Sequence, residues 1–376
     1  MKTFAVYIHV PFCHHKCIYC DFYSIIKFDG IQDYISSLLK EIDYYSAKYK
    51  DEYSIKTIFF GGGTPSVLDP NLIEMVINYL KDKFFYEENL EITIESNPGT
   101  LTNEKLIALN KTGINRISIG VQSFDDNDLE YLTRIHKSAQ AIDMIKNAKS
   151  AGFDNISLDL IFNLPNQTKE KWLKNLEVAV SLPISHISCY SLIVEPGTIL
   201  NKQVLDGKVK INDDNYDADL YEITMEYLNK KEFKQYEVSN FAKEGFQCLH
   251  NKYYWEYKDF LGLGPSAHSF MDGYRWNNYT ALSFYNNNIN NYGHAALNIE
   301  KLSEKQKLEE FILMGLRSTG IDLTRINEFD NEWLAKNNKN IKLFEDEEYL
   351  VVDKSKIKLT TKGYSLCDEI LLKFNY

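Results

Sequence analysis

Long apolar runs and an excess of basic residues are both missing from this sequence of 376 residues. No apolar stretch approaches the roughly 20 residues that a membrane-spanning helix needs. The run at the N-terminus is broken by His9 and lacks the length of a signal-peptide core. The 42 lysines and arginines are outnumbered by 53 acidic residues, which gives a net charge of −11. We therefore expect a cytoplasmic protein with at most peripheral membrane contact and no nucleic-acid-binding surface.

Cysteine is also scarce, with six residues in the whole chain. Three of them lie far apart, which is typical of a reducing compartment rather than of a secreted disulfide framework. The other three lie within eight residues in the pattern Cys-x3-Cys-x2-Cys: Cys13, Cys17 and Cys20.

This cysteine pattern directly follows a short apolar run, Phe4–Val10, that predicts the first strand. Three thiolates on one loop can hold three irons of a [4Fe–4S] cluster and leave the fourth iron open to another ligand. With Tyr19 directly before the last cysteine, the spacing resembles the cluster loop of radical S-adenosylmethionine (radical SAM) enzymes. On the loop alone a zinc site stays open as the alternative, with His14 or His15 as the fourth ligand.

Up to about residue 200, short β-rich runs alternate with amphipathic helical patterns. The helical patterns begin near Pro70, after Thr102 as N-cap and after Ser138, and the last two end at Gly113 and Gly152. This alternation predicts an α/β fold with a parallel sheet, and six units predict an open, partial (β/α)6 barrel. The six apolar runs are Phe4–Val10, Thr57–Phe60, Glu91–Glu95, Arg116–Val121, Asn155–Phe162 and His186–Ile193.

Polar and glycine residues stand where the predicted strands end, which is where ligands gather in parallel sheets. Gly61–Ser66 follows the second strand, Glu95–Gly99 the third and Gln122–Phe124 the fourth, while the fifth carries Asp159. Any one of these residues could be a helix cap or part of a tight turn. Their joint position at successive strand ends predicts a ligand site.

Several stretches, in this order, resemble the family of oxygen-independent coproporphyrinogen III oxidases and their relatives. They are Tyr7–Cys13, Cys17–Phe22, Gly61–Pro65, Gly120–Phe124, Arg134–His136, Asp159–Ile161 and Leu164–Pro165. The resemblance implies a radical SAM fold in which Cys13, Cys17 and Cys20 hold a [4Fe–4S] cluster. It also implies a SAM site built from Tyr7, Gly62, Gly63, Thr64, Glu95, Gln122, Arg134 and Asp159, with Tyr19 covering the cluster or the adenine.

The chain departs from the oxidase pattern at Phe22, where the oxidases carry a further cysteine beside their second SAM. This difference puts coproporphyrinogen oxidation in doubt and resembles instead the HemW-type haem chaperones, which bind haem and pass it on. The stretch His250–Trp255 resembles the haem-associated element of those chaperones, and it makes His250 the first candidate for an axial ligand of the haem iron. His268 and Cys248 are secondary candidates.

These resemblances imply a haem chaperone that binds a [4Fe–4S] cluster, SAM and haem and transfers haem to an acceptor protein, for which a respiratory protein is one candidate. The alternative is a radical SAM oxidoreductase acting on a tetrapyrrole, either by coproporphyrinogen decarboxylation or by reductive opening of haem. Whether the chain is an enzyme stays open. A radical SAM enzyme that modifies RNA is disfavoured by the acidic charge.

Three domains are expected: a radical SAM core at 1–235, a connecting segment with the haem element at 236–300, and an accessory domain at 301–376. The asparagine-rich run from Asn286 to Asn291 is interpreted as a surface loop. In the last domain the pattern predicts a helix over Gln306–Leu316, a hairpin near residues 349–359 and a closing helix over Gly363–Phe374. This winged-helix-like unit is expected to form a lid or a partner-docking surface over the barrel mouth.

Overall fold

The computed structural model describes residues 1–376 and is organised around one twelve-stranded sheet. Its central six strands follow the order of the chain, and each pairs in parallel with the next. Each strand covers most or all of one predicted apolar run, so the six strands of the sequence analysis are confirmed. They are β1 (Lys2–Val10), β2 (Tyr53–Gly62), β3 (Phe85–Ser96), β4 (Arg116–Gln122), β5 (Asn155–Phe162) and β6 (His186–Ser191).

Helices connect these strands, and several begin at the residues that the sequence predicts. The side chain of Thr102 accepts a hydrogen bond from the N–H of Lys105, and Pro70 opens its helix behind the capping side chain of Asp69. The helices are α1 (Ile31–Tyr49), α2 (Pro70–Lys83), α3 (Asn103–Lys111), α4 (Asp126–Tyr131), α5 (Ser138–Ser150), α6 (Lys169–Ser181), α7 (Ile199–Leu205) and α8 (Asp214–Lys230).

The segment after α8 extends the sheet at both edges, which the sequence analysis did not predict. Strand β9 lies parallel to β1, whereas β8 lies antiparallel to β6. The two outermost strands, β7 and β12, do not pair with each other, so the predicted open, partial barrel is confirmed. The elements of this segment are β7 (Lys234–Gln235), β8 (Asn240–Ala242), α9 (Leu249–Trp255), β9 (Phe260–Leu263), β10 (His268–Met271), β11 (Tyr274–Asn278), α10 (Leu282–Tyr292) and β12 (Ala296–Lys301).

The asparagine-rich run is not a loop, and the prediction for it was wrong. It forms most of α10, whose buried face carries Tyr285 and Ile289 at helical spacing. Gly293 ends the helix in the left-handed conformation (φ 78°), as is common after a helix C-terminus. Two buried apolar side chains four residues apart outweigh the weak helix propensity of asparagine.

The C-terminal part forms a small α+β unit around a second hydrophobic core centred on the fully buried Trp333. The predicted first helix and hairpin are present, and a third short strand completes the sheet in the order β13-β15-β14. The elements are α11 (Glu304–Leu316), β13 (Ile321–Asp322), α12 (Leu323–Phe329), α13 (Trp333–Asp346), β14 (Leu350–Val352), β15 (Lys356–Leu359), α14 (Thr361–Tyr364) and α15 (Cys367–Leu371).

The closing helix predicted for Gly363–Phe374 is instead two short helices, α14 and α15. The break falls at Leu366, whose backbone is not helical (φ −121°, ψ 23°). The hydroxyl of Tyr364 donates to the carbonyl of Ser318 on one side of the break, while Ile370 packs into the second core on the other. These two contacts anchor the chain on either side of the break.

No helix of this fold has both the length and the apolar character required to cross a bilayer.

A buried carboxylate fastens the added strands to the barrel. Glu41 of α1 is fully buried and accepts hydrogen bonds from the N–H of Gly264 (2.8 Å), Nδ2 of Asn278 (2.7 Å) and the hydroxyl of Tyr285 (2.7 Å). These donors come from the loop after β9, from β11 and from α10. Burial raises the pKa of Glu41 to about 7, although the three donors favour its charged form.

This pKa predicts a pH dependence of stability. As the pH rises above the ordinary value of 4.5, the unfolded chain loses a proton that folded Glu41 retains up to about pH 7. The free energy of unfolding should therefore fall across this interval. The variant Glu41→Gln, which does not titrate, is expected to flatten this fall in denaturant titrations at several pH values. Glu130→Gln, at an exposed position, is the control, and an unchanged slope in Glu41→Gln would contradict the assignment.

Candidate functional site

The carboxyl ends of the parallel strands surround a cavity of about 420 Å³, which we name the thiol cavity. It brings together all three loop cysteines and most of the other residues singled out in the sequence. Those lining it are Cys13, Cys17, Tyr19, Cys20, Gly62, Gly63, Thr64, Glu95, Gln122, Arg134 and Asp159, together with Phe22 and Tyr190. Tyr7 and His250 do not line it but line a neighbouring cavity.

The cysteine loop is held in place through its backbone. The N–H of Cys13 donates to the carbonyl of Ile25 (3.0 Å), and the N–H of Ile25 donates to the carbonyl of Pro11 (2.7 Å). Within the loop, the N–H of Cys20 donates to the carbonyl of Cys17 (3.1 Å). These bonds fix the positions from which the cysteine side chains enter the cavity.

Glycines at the end of β2 allow this loop to approach the sheet closely. The N–H of Gly63 donates to the carbonyl of Val10 (2.8 Å), and a Cβ at Gly63 would lie only 2.6 Å from the carbonyl oxygen of Phe12. Gly62 has φ +108°, and a Cβ there would lie 2.7 Å from the ring of His9. A larger residue at Gly63 would therefore push the loop away from β2, and one at Gly62 would collide with His9.

The thiols face the cavity from separate points. Sγ of Cys13 lies 3.1 Å from Oγ1 of Thr64, and Nη1 of Arg134 lies 3.7 Å from Sγ of Cys17. No three histidine, cysteine, aspartate or glutamate side chains are arranged as ligands of one metal ion. His15 is exposed, with Nε2 3.2 Å from Oγ1 of Thr133.

Burial is the main cause of the pKa shifts within the thiol cavity. Burial raises the pKa of the Cys17 and Cys20 thiols, and Arg134 opposes this rise at Cys17. Across the cavity, burial and the nearby Asp159 raise the pKa of Glu95 to about 8. Binding of a cation or a metal cluster would therefore favour deprotonation of these groups.

The two carboxyls are partly engaged by neighbouring donors. The N–H of Gly62 donates to Oε2 of Glu95 (3.2 Å), and the hydroxyl of Ser118 donates to Oδ1 of Asp159 (3.2 Å). Both residues line the cavity, so their remaining oxygen lone pairs can accept hydrogen bonds from an ammonium group or from sugar hydroxyls.

Arg134 is the main fixed cation of the cavity. Its Nη2 donates to Oδ1 of Asn97 and to the carbonyl of Gly120, both at 2.6 Å, whereas its Nε is buried without an acceptor. Arg134 lines the thiol cavity, so its positive charge can attract an anionic partner such as a carboxylate. Gln122, at the end of β4, has φ +68°, an uncommon backbone conformation that is frequent at functional sites.

The sequence analysis gave no individual role to two residues that line this cavity, Asn97 and Tyr190. Asn97 bridges Thr64 and Arg134, because its Nδ2 donates to Oγ1 of Thr64 (2.8 Å). Its position two residues after Glu95, at the end of β3, could have indicated this role. Tyr190 lines the cavity from the end of β6, where no charged or glycine residue marked the strand end.

The structure places His250 in a buried position on α9. The residue is 1% exposed, with Nδ1 2.8 Å from the hydroxyl oxygen of Thr57 and Nε2 2.8 Å from that of Tyr254. Burial lowers its pKa to about 3. The α9 cavity, of about 230 Å³, is lined by His250 with Asn251, Tyr254, Tyr7, Phe22, Phe59, Gly62 and Glu95. Ligation of a metal by Nε2 would require the Tyr254 hydroxyl to move.

The other two ligand candidates differ sharply in exposure. His268 is exposed and lines a third cavity of about 450 Å³, here named the His268 cavity. Its other lining residues include Tyr7, His9, Asp21, Phe22, Tyr23 and Tyr254. Cys248 is fully buried, with Sγ 3.7 Å from Oε1 of Glu91, and lines none of the three cavities.

Phe22 connects the three cavities. Its side chain is 63% exposed and lines the thiol cavity, the α9 cavity and the His268 cavity. Residues 301–376 line none of them, so the lid expected over the barrel mouth is not present. The C-terminal unit instead contacts the chain beside the barrel, where the N–H of Val238 donates to the carbonyl of Arg317 (2.9 Å).

Comparison with known proteins agrees with this geometry. The model of the radical SAM superfamily matches residues 7–179, and that of the HemN C-terminal domain matches residues 302–366. The fold is similar to that of coproporphyrinogen III oxidase (HemN) from Escherichia coli, with a TM-score of 0.84 and 22% identity over 99% of this chain and 89% of that chain. Fold and cysteine loop together define a radical SAM protein.

Several relatives are named heme chaperone HemW, and they indicate a particular family within the radical SAM proteins. The protein from Lactococcus lactis is 33% identical over 99% of this chain and 97% of its own length. That from Bacillus subtilis is 36% identical over 86% of both chains, and that from Escherichia coli is 37% identical over 73% of this chain and 72% of its own. The chain belongs to the HemW family of haem chaperones.

Proposed function

We propose that this protein binds a [4Fe–4S] cluster, SAM and haem, and passes the haem to an acceptor protein. The observation that carries the proposal is the meeting of three cavities at Phe22. One contains the thiols and fixed charges that a cluster and SAM require, and the other two contain aromatic faces and histidines that suit a porphyrin. The acceptor is a protein that uses haem, with a respiratory protein as one candidate.

Cys13, Cys17 and Cys20 would each hold one iron of the cluster, and the cluster would supply an open iron for SAM. Arg134 lines the thiol cavity and can attract the carboxylate of SAM, while Glu95 and Asp159 can accept hydrogen bonds from the ammonium and ribose groups of SAM. Gly62, Gly63 and Thr64 would allow close backbone approach to SAM. Tyr19 and Gln122 line the same cavity, and Tyr7 lines the adjoining α9 cavity.

Haem would lie against Tyr254 and Phe22, where the α9 and His268 cavities adjoin. His250 remains the first proposed ligand, although its Nε2 is shared with Tyr254, and His268 is the exposed alternative. Phe22 stands where the oxidases that this chain resembles carry a further cysteine beside their second SAM. This favours carrying of haem over the alternative, oxidation of a tetrapyrrole. The division into units 1–235, 236–300 and 301–376 is part of the same proposal.

One preparation can test the function. After anaerobic reconstitution of the cluster, haem is titrated and coproporphyrinogen consumption is assayed with SAM and a reductant. We expect about one haem per chain, with an absorption spectrum set by axial ligation, and no turnover of coproporphyrinogen. Robust multiple turnover would favour the oxidoreductase alternative, and absence of haem binding would contradict the chaperone proposal.

The axial ligand of the haem iron is identified by two candidate variants and one control in the same titration. His250→Ala is expected to shift the haem spectrum or weaken binding, because loss of an axial nitrogen changes the ligand field of iron. His294→Ala is the control, since His294 packs on Tyr44 and lines none of the three cavities. A spectrum that changes in His268→Ala but not in His250→Ala would move the ligand to His268 and leave the chaperone proposal intact.

A further inference from the structure

Helix α9 forms one wall of the proposed haem site and is held at both ends by side chains from outside it. Its His250, Asn251 and Tyr254 line the α9 cavity. At its first turn, the carboxylate of Glu91 on β3 accepts hydrogen bonds from the N–H groups of Leu249 (3.1 Å) and His250 (3.0 Å). The barrel therefore fixes the N-terminal end of the helix.

The C-terminal end of α9 is fixed by the C-terminal unit. Arg325 of α12 donates from Nη1 to the carbonyl of Glu256 (2.5 Å) and from Nη2 to that of Tyr257 (3.4 Å). Its guanidinium also lies 4.9 Å from the ring centre of Phe311. A cation at the end and a carboxylate at the start both complement the helix dipole.

Tyr257 strengthens this connection because its side chain belongs to the second core. The residue has φ +52° and is 9% exposed, and its ring packs between Phe270 and Phe311. Its hydroxyl donates to Oε2 of Glu310 on α11 (2.9 Å). The side chain of Tyr257 thus packs into the C-terminal unit just before the chain returns to the sheet as β9.

We propose that Arg325 is a positioning residue for the haem site, which makes the C-terminal unit a support that sets the orientation of α9. This inference rests on the proposed function, because it requires that haem bind against α9. Arg325 itself lines none of the three cavities, so its effect must pass through the carbonyls that it holds. In this proposal the C-terminal unit supports α9 instead of forming the lid that was expected from the sequence.

The test compares Arg325→Met with Arg325→Lys in reconstituted full-length protein. The Met variant is expected to bind haem about fivefold or more weakly and with an altered Soret band, because α9 loses a charged partner at its C-terminus. The Lys variant should recover part of both properties, since it keeps the charge. Cluster content and SAM affinity should not change. Arg317→Met is the control, because the Arg317 side chain pairs with Asp368 within the C-terminal unit.

Hydrogen exchange separates positioning from general stabilisation. In Arg325→Met, we expect faster exchange in residues 249–257 and unchanged exchange in α13. Faster exchange in both segments would mean that Arg325 merely stabilises the C-terminal unit and would overturn the inference, as would wild-type affinity and spectrum in Arg325→Met. Failure of the wild-type protein to bind haem would instead count against the proposed function.

Discussion

Anaerobically purified Cys17→Ser protein is expected to lose the absorption of a four-iron cluster together with its bound iron and sulfide. Each loop cysteine would supply one bond to iron, and serine is a poor substitute for a thiolate. The thiol cavity contains no cysteine beyond Cys13, Cys17 and Cys20 that could take over. The loss should therefore be complete rather than partial.

The control for this experiment is Cys367→Ser. Cys367 is buried in the C-terminal unit, within the second core and away from the thiol cavity. This variant should retain full iron and sulfide, which would separate loss of a ligand from general loss of a thiol. Full retention of iron and sulfide by Cys17→Ser would remove the basis for a cluster on this loop.

Asp159→Ala is expected to weaken SAM binding by about 1.5–3 kcal/mol, the range for a lost hydrogen bond to a charged group. Asp159 lies on β5, inside the thiol cavity and opposite the cysteine loop, and its carboxylate already accepts from Ser118. Because Asp159 is not one of the proposed cluster ligands, the content of iron and sulfide should stay normal. Equilibrium binding of SAM to the reconstituted protein measures the effect directly.

A control on the same strand–helix unit is available for this prediction. Asp154 is exposed before β5, at the opposite end from the cavity, and pairs with Lys149 on the surface. Asp154→Ala should bind SAM with wild-type affinity. Unchanged affinity in Asp159→Ala as well would mean that SAM does not lie against β5.

The barrel could be predicted because its strands are continuous apolar runs separated by helices with clear ends. Strand β5, Asn155–Phe162, has the bounds that the sequence predicts: six of its eight residues are buried, because both faces of the sheet are covered there. The added strands could not be predicted in the same way. Strands β8 and β9 have three and four residues, and their place depends on pairing with distant strands rather than on local pattern.

In the candidate site, too, some residues could be predicted from local pattern and others depend on distant contacts. The cysteines and glycines of the thiol cavity were found because their chemistry depends on local spacing. The burial of His250 and its hydrogen-bonded contacts were not predicted, because the contacts with Thr57 and Tyr254 depend on how α9 packs against β2. The stretch that contains Asn97 was predicted to lie at the site, but its contacts with Thr64 and Arg134 depend on the folded structure.

Phe22 has a kinetic consequence for movement between the cavities. Because its side chain is largely exposed, its rotation is not blocked by close packing, and such side chains change rotamer within picoseconds to nanoseconds. Collective movements of helices take microseconds to milliseconds. Any change of shape that the Phe22 ring makes at the boundary of the three cavities would therefore be much faster than a movement of α9 or of the C-terminal unit.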